Sequence, residues 1–176
     1  MVQDIDIYDG RPILTAMTSK RLTEAADGFR GDLKKPYVVR LPDGVKVVRG
    51  GAFQNDDRMD VVILPDSISM IGKSAFEGCD ELAQIVIPEA VRVIWQCVFK
   101  DCTSLESISL PEGLQRIDSE AFRGCDGISC ITIPDSVESI GRDAFFQCDA
   151  LEEIHIKNPA LLEGTGLDEE VTIIGK

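Results

Sequence analysis

The chain has 176 residues and a net charge of −13, from 31 acidic and 18 basic side chains. This length suffices for one domain with a sizeable core. So acidic a surface repels nucleic acid and anionic membranes, because it cannot displace their counterions. No apolar stretch approaches the ~20 residues of a membrane-spanning helix, so we expect no membrane insertion.

Residues 1–18 precede the repeating part of the chain. Acidic side chains interrupt their apolar pairs, so they lack the apolar run of a secretory signal. A natural start at Met1 predicts a cytoplasmic protein, whereas removal of an earlier leader would predict a secreted or cell-surface one. Residues 13–17 are apolar enough to pack, and we expect a short helix there.

Residues 19–41 look like a decayed repeat, which we interpret as a degenerate N-terminal cap. Its apolar residues lie close to the positions that later repeats occupy: Leu22, Ala25, Phe29, Val39 and Leu41. Terminal repeats depart from the consensus because they must shield the last layer of the core from solvent.

Residues 42–156 consist of five repeats of 23 residues. Proline opens each repeat, and phenylalanine recurs eleven residues after it, at Phe53, Phe76, Phe99, Phe122 and Phe145. Counting the proline as zero, apolar residues recur at offsets 3, 6, 10, 11, 14, 17, 20 and 22. Of the 40 such positions, 39 are apolar, and the exception is Asp56. A chance pattern would not keep both the period and the eight sites.

The spacing within a repeat predicts one coil of a solenoid. Apolar and polar residues alternate at offsets 18 to 22, as expected for a strand with one buried face. Offsets 3 and 6 predict a second short extended stretch, and offsets 8 to 13 favour a turn of α- or 3₁₀-helix. Stacked coils would pair strand on strand into a parallel sheet over layers of identical side chains.

The string L-x-x-I-x-I-P-x-x-V-x-x-I-G-x-x-A-F-x-x-C resembles the BspA-like leucine-rich repeats of bacteria and protists, and the resemblance covers all five repeats. It implies a curved, right-handed, mostly β solenoid of the α/β type, with a recognition role that is often at the cell surface. It implies no catalytic residues. Residues 157–176 then form a C-terminal cap, closed by Leu161, Leu162, Val171, Ile173 and Ile174.

Cysteines provide the first candidate chemistry. Cys79, Cys102, Cys125 and Cys148 share one offset, so we expect a buried ladder of reduced thiols whose parallel side chains are too far apart for unstrained disulfides. Cys97 and Cys130 fall at other offsets, nearer the surface, with Cys130 the more reactive. The chain has no C-x-x-C motif, and lone His155 cannot complete a zinc cluster with the ladder, so we expect no metal ligands and no cofactor.

The rows of acidic residues and the single histidine suggest two further functions, calcium binding and catalysis. Acids stack at offsets 1 and 15, where carboxylates could bind calcium, although acids in turns usually accept backbone N–H groups instead. General acid–base catalysis would depend on His155, which occupies an outward strand position. We therefore expect neither a catalytic site nor an enzyme.

The outward strand positions, at offsets 19 and 21, are the expected binding surface. Their residues are Val61, Ile63, Gln84, Val86, Ser107, Ser109, Cys130, Thr132, Glu153 and His155, and all except Cys130 are candidate partner contacts. Val61, Ile63 and Val86 should form an apolar cluster that something outside the coil covers: residues 1–18, a partner or a second copy of the chain. We thus predict a module that recognises a protein, or a glycan, through this face. The alternative is a structural spacer or cap of a longer surface protein.

Overall fold

The structure, a computed structural model, describes residues 6–8, 11–15 and 37–175, with side chains from residue 38 onward. Its strands are β1 (Asp6–Tyr8), β2 (Arg11–Thr15), β3 (Tyr37–Arg40), β4 (Val47–Val48), β5 (Met59–Ile63), β6 (Met70–Ile71), β7 (Gln84–Val86), β8 (Val93–Ile94), β9 (Ser107–Ser109), β10 (Arg116–Ile117), β11 (Cys130–Thr132), β12 (Ser139–Ile140), β13 (Glu153–His155) and β14 (Thr172–Ile174). A 3₁₀-helix covers Pro159–Leu162.

Each repeat contributes one strand to each of two flanks, because its two extended stretches recur every 23 residues. One flank is the parallel sheet β12-β10-β8-β6-β4. The other flank carries two sheets in succession, β1-β2-β3-β5-β7-β9 and β11-β13-β14. Among the described strands, all pairings are parallel except that of β1 with β2. The expected β-solenoid with parallel sheets is therefore confirmed.

The helix expected within residues 13–17 is wrong, because residues 11–15 form strand β2. Ile13 pairs with Val38 and Leu14 pairs with Val39, so β2 adds a parallel strand to the sheet. An exposed sheet edge offers a row of unpaired backbone groups, and β2 satisfies those of β3. Of the expected cap residues, Val39 and Leu41 are buried, while Leu22, Ala25 and Phe29 lie outside the described residues.

Consecutive turns, rather than helix, occupy offsets 8 to 13. Their N–H groups donate to the third residue back, as Ala75 does to Gly72 and Cys79 to Phe76, but left-handed residues interrupt each run. These lie at offsets 9 and 13: Gly51, Asn55, Ser74, Gly78, Cys97, Asp101, Glu120, Gly124, Asp143 and Gln147. A left-handed residue costs energy when it is not glycine. It turns N–H groups such as that of Ser74 toward the next coil, here the Gln96 carbonyl at 3.1 Å.

The interior consists of rows of similar side chains, as the offsets predict, and the phenylalanine row is identical in all five repeats. In the second and fourth repeats, all eight apolar positions are buried. The five phenylalanine rings stack with centroids 5.2 to 5.7 Å apart and planes within 8° of parallel. Asp56, the one polar residue in this pattern, is buried and its Oδ1 accepts the Arg58 N–H at 3.4 Å.

The C-terminal coil closes the stack incompletely. Leu162 and Val171 are buried against the core and Leu161 is half-buried, as expected of a cap. Ile173 continues the inward row of the strand flank, opposite Ile154. It is 46% exposed, because no described strand lies beyond β14.

Candidate functional site

The outer strand face is the surface formed by the outward positions of β5, β7, β9, β11 and β13. Strand register aligns one row through Val61, Gln84 and Ser107, and continues it from Cys130 to Glu153. A second row aligns Val86 with Ser109 and Thr132 with His155. Because β7, β9, β11 and β13 are three residues long, each offers this face just two side chains. The inner strand rows stay apolar from coil to coil, whereas the outer rows change from apolar to polar.

A groove of about 240 Å³ runs across the N-terminal half of this face. Its walls are the outward residues Val61, Ile63, Gln84, Val86, Ser107 and Ser109, over a floor that includes Val62 and Ile85. The structure thus brings six of the predicted contact residues into one depression, which we call the strand-face groove. Thr132 lies outside it on β11, the next strand along the solenoid, and Glu153 and His155 lie on β13, one strand farther.

The predicted apolar cluster divides into a covered part and an open part. Val61 is 7% exposed and packs with Val38, which is fully buried, and with half-buried Ile63. Val86 is 68% exposed. Val38 lies beside Val61 in the parallel register of β3 and β5, so the sheet continues past the first full repeat.

The expected covering of the cluster is present at Val61, which is therefore not an accessible contact residue. A charge there would damage the fold before it could disturb binding. The exposed apolar atoms of the strand-face groove belong mainly to Val86, with Ile63 contributing at its margin. Gln84, Ser107 and Ser109 surround Val86 with exposed hydrogen-bonding groups.

The cysteine ladder is buried as predicted. Cys79, Cys102, Cys125 and Cys148 are free thiols. Each Sγ lies 3.0 to 3.2 Å from the carbonyl oxygen of a phenylalanine 26 residues earlier, to which the thiol donates. Burial raises the pKa of Cys102 to about 12. A thiol that is buried and hydrogen-bonded in its neutral form is a poor nucleophile, so the ladder is part of the core.

The two remaining cysteines differ from each other. Cys97 is 7% exposed, whereas Cys79, Cys102 and Cys125 are fully buried, so it is largely covered but nearer the surface than those three. It occupies one of the left-handed turn positions, and burial together with the nearby Glu120 and Glu77 raises the pKa of its thiol. Cys130 is exposed on β11, as predicted.

One ligand cluster escaped the search for motifs along the chain. Cys130, Glu153 and His155 each offer a ligand atom, and these atoms lie within 4.8 Å of one another. Their spacing in sequence resembles no metal motif, but offsets 19 and 21 of adjacent coils are neighbours on one face. Comparing those two rows together would have found them. The acids at offsets 1 and 15 form no such three-ligand group among the described residues.

Comparison with known proteins identifies the family to which the chain is similar. The family described as "BspA type Leucine rich repeat region" matches residues 33–159, in six copies. Among curated proteins, none matches the chain. No helix among the described residues is long and apolar enough to cross a membrane.

Solved structures of bacterial proteins agree with this family. A leucine-rich repeat protein from Bacteroides ovatus is 37% identical, with a TM-score of 0.66 over 70% of this chain and 34% of its own. A leucine-rich cell surface protein from Faecalibacterium prausnitzii is 32% identical, with a TM-score of 0.63 over 68% of this chain and 32% of its own. This chain thus spans about a third of both proteins.

A third structure matches over most of both chains. The T. pallidum leucine-rich repeat protein is 32% identical, with a TM-score of 0.70 over 93% of this chain and 73% of its own. With the repeat, the parallel β-solenoid and these matches in agreement, the chain belongs to the BspA-type leucine-rich repeat family.

Proposed function

We propose that this chain is a non-catalytic recognition module that binds a protein through the strand-face groove. The observation that carries the proposal is Val86, a branched apolar side chain that is 68% exposed in a groove with polar walls. An apolar anchor surrounded by hydrogen-bonding groups is the usual composition of a protein-binding centre.

A protein partner fits this groove better than a glycan does. A branched aliphatic side chain gains free energy by burial against another apolar side chain, of which proteins have many. Aromatic side chains, which offer flat apolar surface, do not line the groove. The charge of −13 favours association with a partner of net positive charge, since complementary potentials raise association rates.

The competing function is a spacer or cap within a longer surface protein. Two of the solved relatives are about twice the length of this chain, since matches over 70% and 68% of it cover 34% and 32% of theirs, which is compatible with such a role. A spacer requires only that the outer face be soluble, and its outer rows need no apolar anchor. Val86 lowers the solubility of the chain without stabilising the coil, since most of its surface faces water. That cost favours a binding face over a spacer.

Position-specific photo-cross-linking tests the proposal. A photoreactive phenylalanine analogue would replace Val86 in one variant, Ser109 in a second and Glu138 in a third. Glu138 is exposed and next to β12 on the opposite flank, so it is the matched control. After irradiation in extract of the native source, adducts would be identified by mass spectrometry. The identified protein would then be purified and its affinity for the chain measured.

The expected result is one protein that cross-links from positions 86 and 109 but not from position 138, and that binds the unmodified chain when both are pure. Equal adducts from all three positions, or adducts from position 138 alone, would contradict recognition through the groove. The absence of any specific adduct from positions 86 and 109 would favour the spacer.

A further inference from the structure

The side chains of Cys130, Glu153 and His155 converge at the C-terminal end of the outer strand face. Their ligand atoms lie within 4.8 Å of one another, and His155 Nε2 is 3.5 Å from Glu153 Oε2. Cys130 and Glu153 are exposed and His155 is half-buried, so solvent and ions can reach all three. The two functions considered above require none of this arrangement.

The backbone determines this convergence. Cys130 on β11 and Glu153 on β13 are direct partners in the parallel register. His155 lies two residues after Glu153 on the same strand, and alternate residues of a strand share a face. Thr132, the register partner of His155, completes a square of four outward side chains. Three of those four residues are metal-ligand types, and they rest on hydrogen-bonded strands, which restrict backbone movement.

We propose that Cys130, Glu153 and His155 form a surface site for a divalent transition-metal ion, with Zn²⁺ as the best match. Zinc binds thiolate, imidazole and carboxylate at about 2.0 to 2.3 Å in tetrahedral geometry, which places ligand atoms roughly 3.4 to 3.6 Å apart. The His155–Glu153 separation already meets that distance. The sulfur can reach it by side-chain rotation, since Cys130 is exposed.

The donor set selects the class of ion. Calcium and magnesium prefer oxygen ligands, whereas sulfur and imidazole nitrogen suit zinc and its transition-metal neighbours. Binding replaces the thiol proton by the metal and releases that proton to solvent, so affinity rises with pH. Three protein ligands leave the fourth tetrahedral position to water or to a group from another molecule. The chain's charge of −13 attracts cations to its surface.

Titration with metal alone tests the site, using the full chain with its thiols kept reduced. Calorimetry with Zn²⁺ should show a single ion per chain. Co²⁺ should give a thiolate-to-cobalt charge-transfer band that added Zn²⁺ removes. Cys130→Ser and His155→Ala should each weaken Zn²⁺ binding at least about tenfold, since even outer-shell changes cost that much. Glu153→Gln should weaken it as well, because an amide is the poorer ligand.

Matched controls separate this site from diffuse cation binding. Glu138→Gln removes the same charge from an exposed position on the other flank and should leave Zn²⁺ affinity unchanged. Circular dichroism should be the same for all variants, because all are changes of accessible side chains. Zn²⁺ binding that survives both Cys130→Ser and His155→Ala would overturn the proposal, as would no binding by the wild-type chain. These outcomes are independent of the strand-face groove.

Discussion

The inner and outer rows of the same strands follow opposite rules. Along β7, β9, β11 and β13 the inward residue is isoleucine every time: Ile85, Ile108, Ile131 and Ile154. The outward residues on the same strands run from glutamine and valine through serine to cysteine, threonine, glutamate and histidine. Because each inner residue packs on its own copy in the next coil, a change there affects its neighbours. The outer rows are free of that constraint and can therefore carry specificity.

The largest expected difference between inner and outer rows is in the free energy of unfolding of Phe99→Ala and Val86→Ala. Phe99 is fully buried between Phe76 and Phe122, with centroids 5.6 Å away on both sides. Its truncation should lower the free energy of unfolding by ~3–5 kcal/mol, through lost burial and a cavity. Val86→Ala should change it by less than about 0.5 kcal/mol, since the side chain is mainly in solvent.

Urea denaturation of both variants measures these values. A loss under about 1 kcal/mol for Phe99→Ala would contradict the role of the ring ladder in stability. Unfolding in two steps would instead show that the central coil separates the array into two parts, as nearest-neighbour stabilisation allows.

The cysteine ladder predicts a second, smaller effect that depends on pH. Burial raises the pKa of Cys102 from 9.0 to about 12. Above pH 9 the unfolded chain therefore loses a proton that the folded chain keeps. The stabilisation is full below pH 9 and is lost as the pH rises toward 12.

Between pH 8 and pH 10 the wild-type chain should lose about 1.4 kcal/mol more stability than Cys102→Ala does, on top of losses common to both. Urea denaturation at the two pH values measures the difference. Equal losses in the two proteins would contradict burial of a neutral thiol at this position.

The smallest expected effect is a difference in the rate at which a thiol reagent modifies the inner and the outer cysteines. In the folded protein at neutral pH a thiol reagent should modify Cys130 rapidly and the other five cysteines slowly, because those five are buried. Cys130→Ser should remove the rapid phase, and denaturant should expose every thiol that remains. A rapid phase that persists in Cys130→Ser would show that Cys97 or a ladder cysteine is accessible.

The inner rows could be predicted because the same pattern of apolar residues occurs five times in the sequence. Offsets such as those of Phe76 and Cys79 recur in nearly every repeat, so one assignment accounts for the whole core. The fold class, the buried ladders and the outward placement of Val86 followed from that period. Asp56 departs from the pattern in the first repeat, where the coil adjoins the degenerate end of the array.

Features that do not repeat every 23 residues could not be predicted from the repeat. Strand β2 lies outside the repeats, so it could not be derived from the spacing, whereas the covering of Val61 was expected from the outward offsets. The turn positions needed a second signal: glycine occupies offset 9 only at Gly51, and serine, cysteine, glutamate and aspartate take the same left-handed conformation elsewhere. The cluster of Cys130, Glu153 and His155 combines residues from the rows at offsets 19 and 21. The 23-residue period relates only residues that share one offset, so it does not reveal such a cluster.

The most direct test of recognition through the outer face is a paired measurement on Val86→Asp, with the cross-linked partner in pure form. We predict that the free energy of unfolding changes by less than about 0.5 kcal/mol. The affinity should fall about 30-fold, the loss of ~2 kcal/mol typical of a central anchor residue. An intact fold with unchanged affinity would contradict the assignment of the strand-face groove as the binding site.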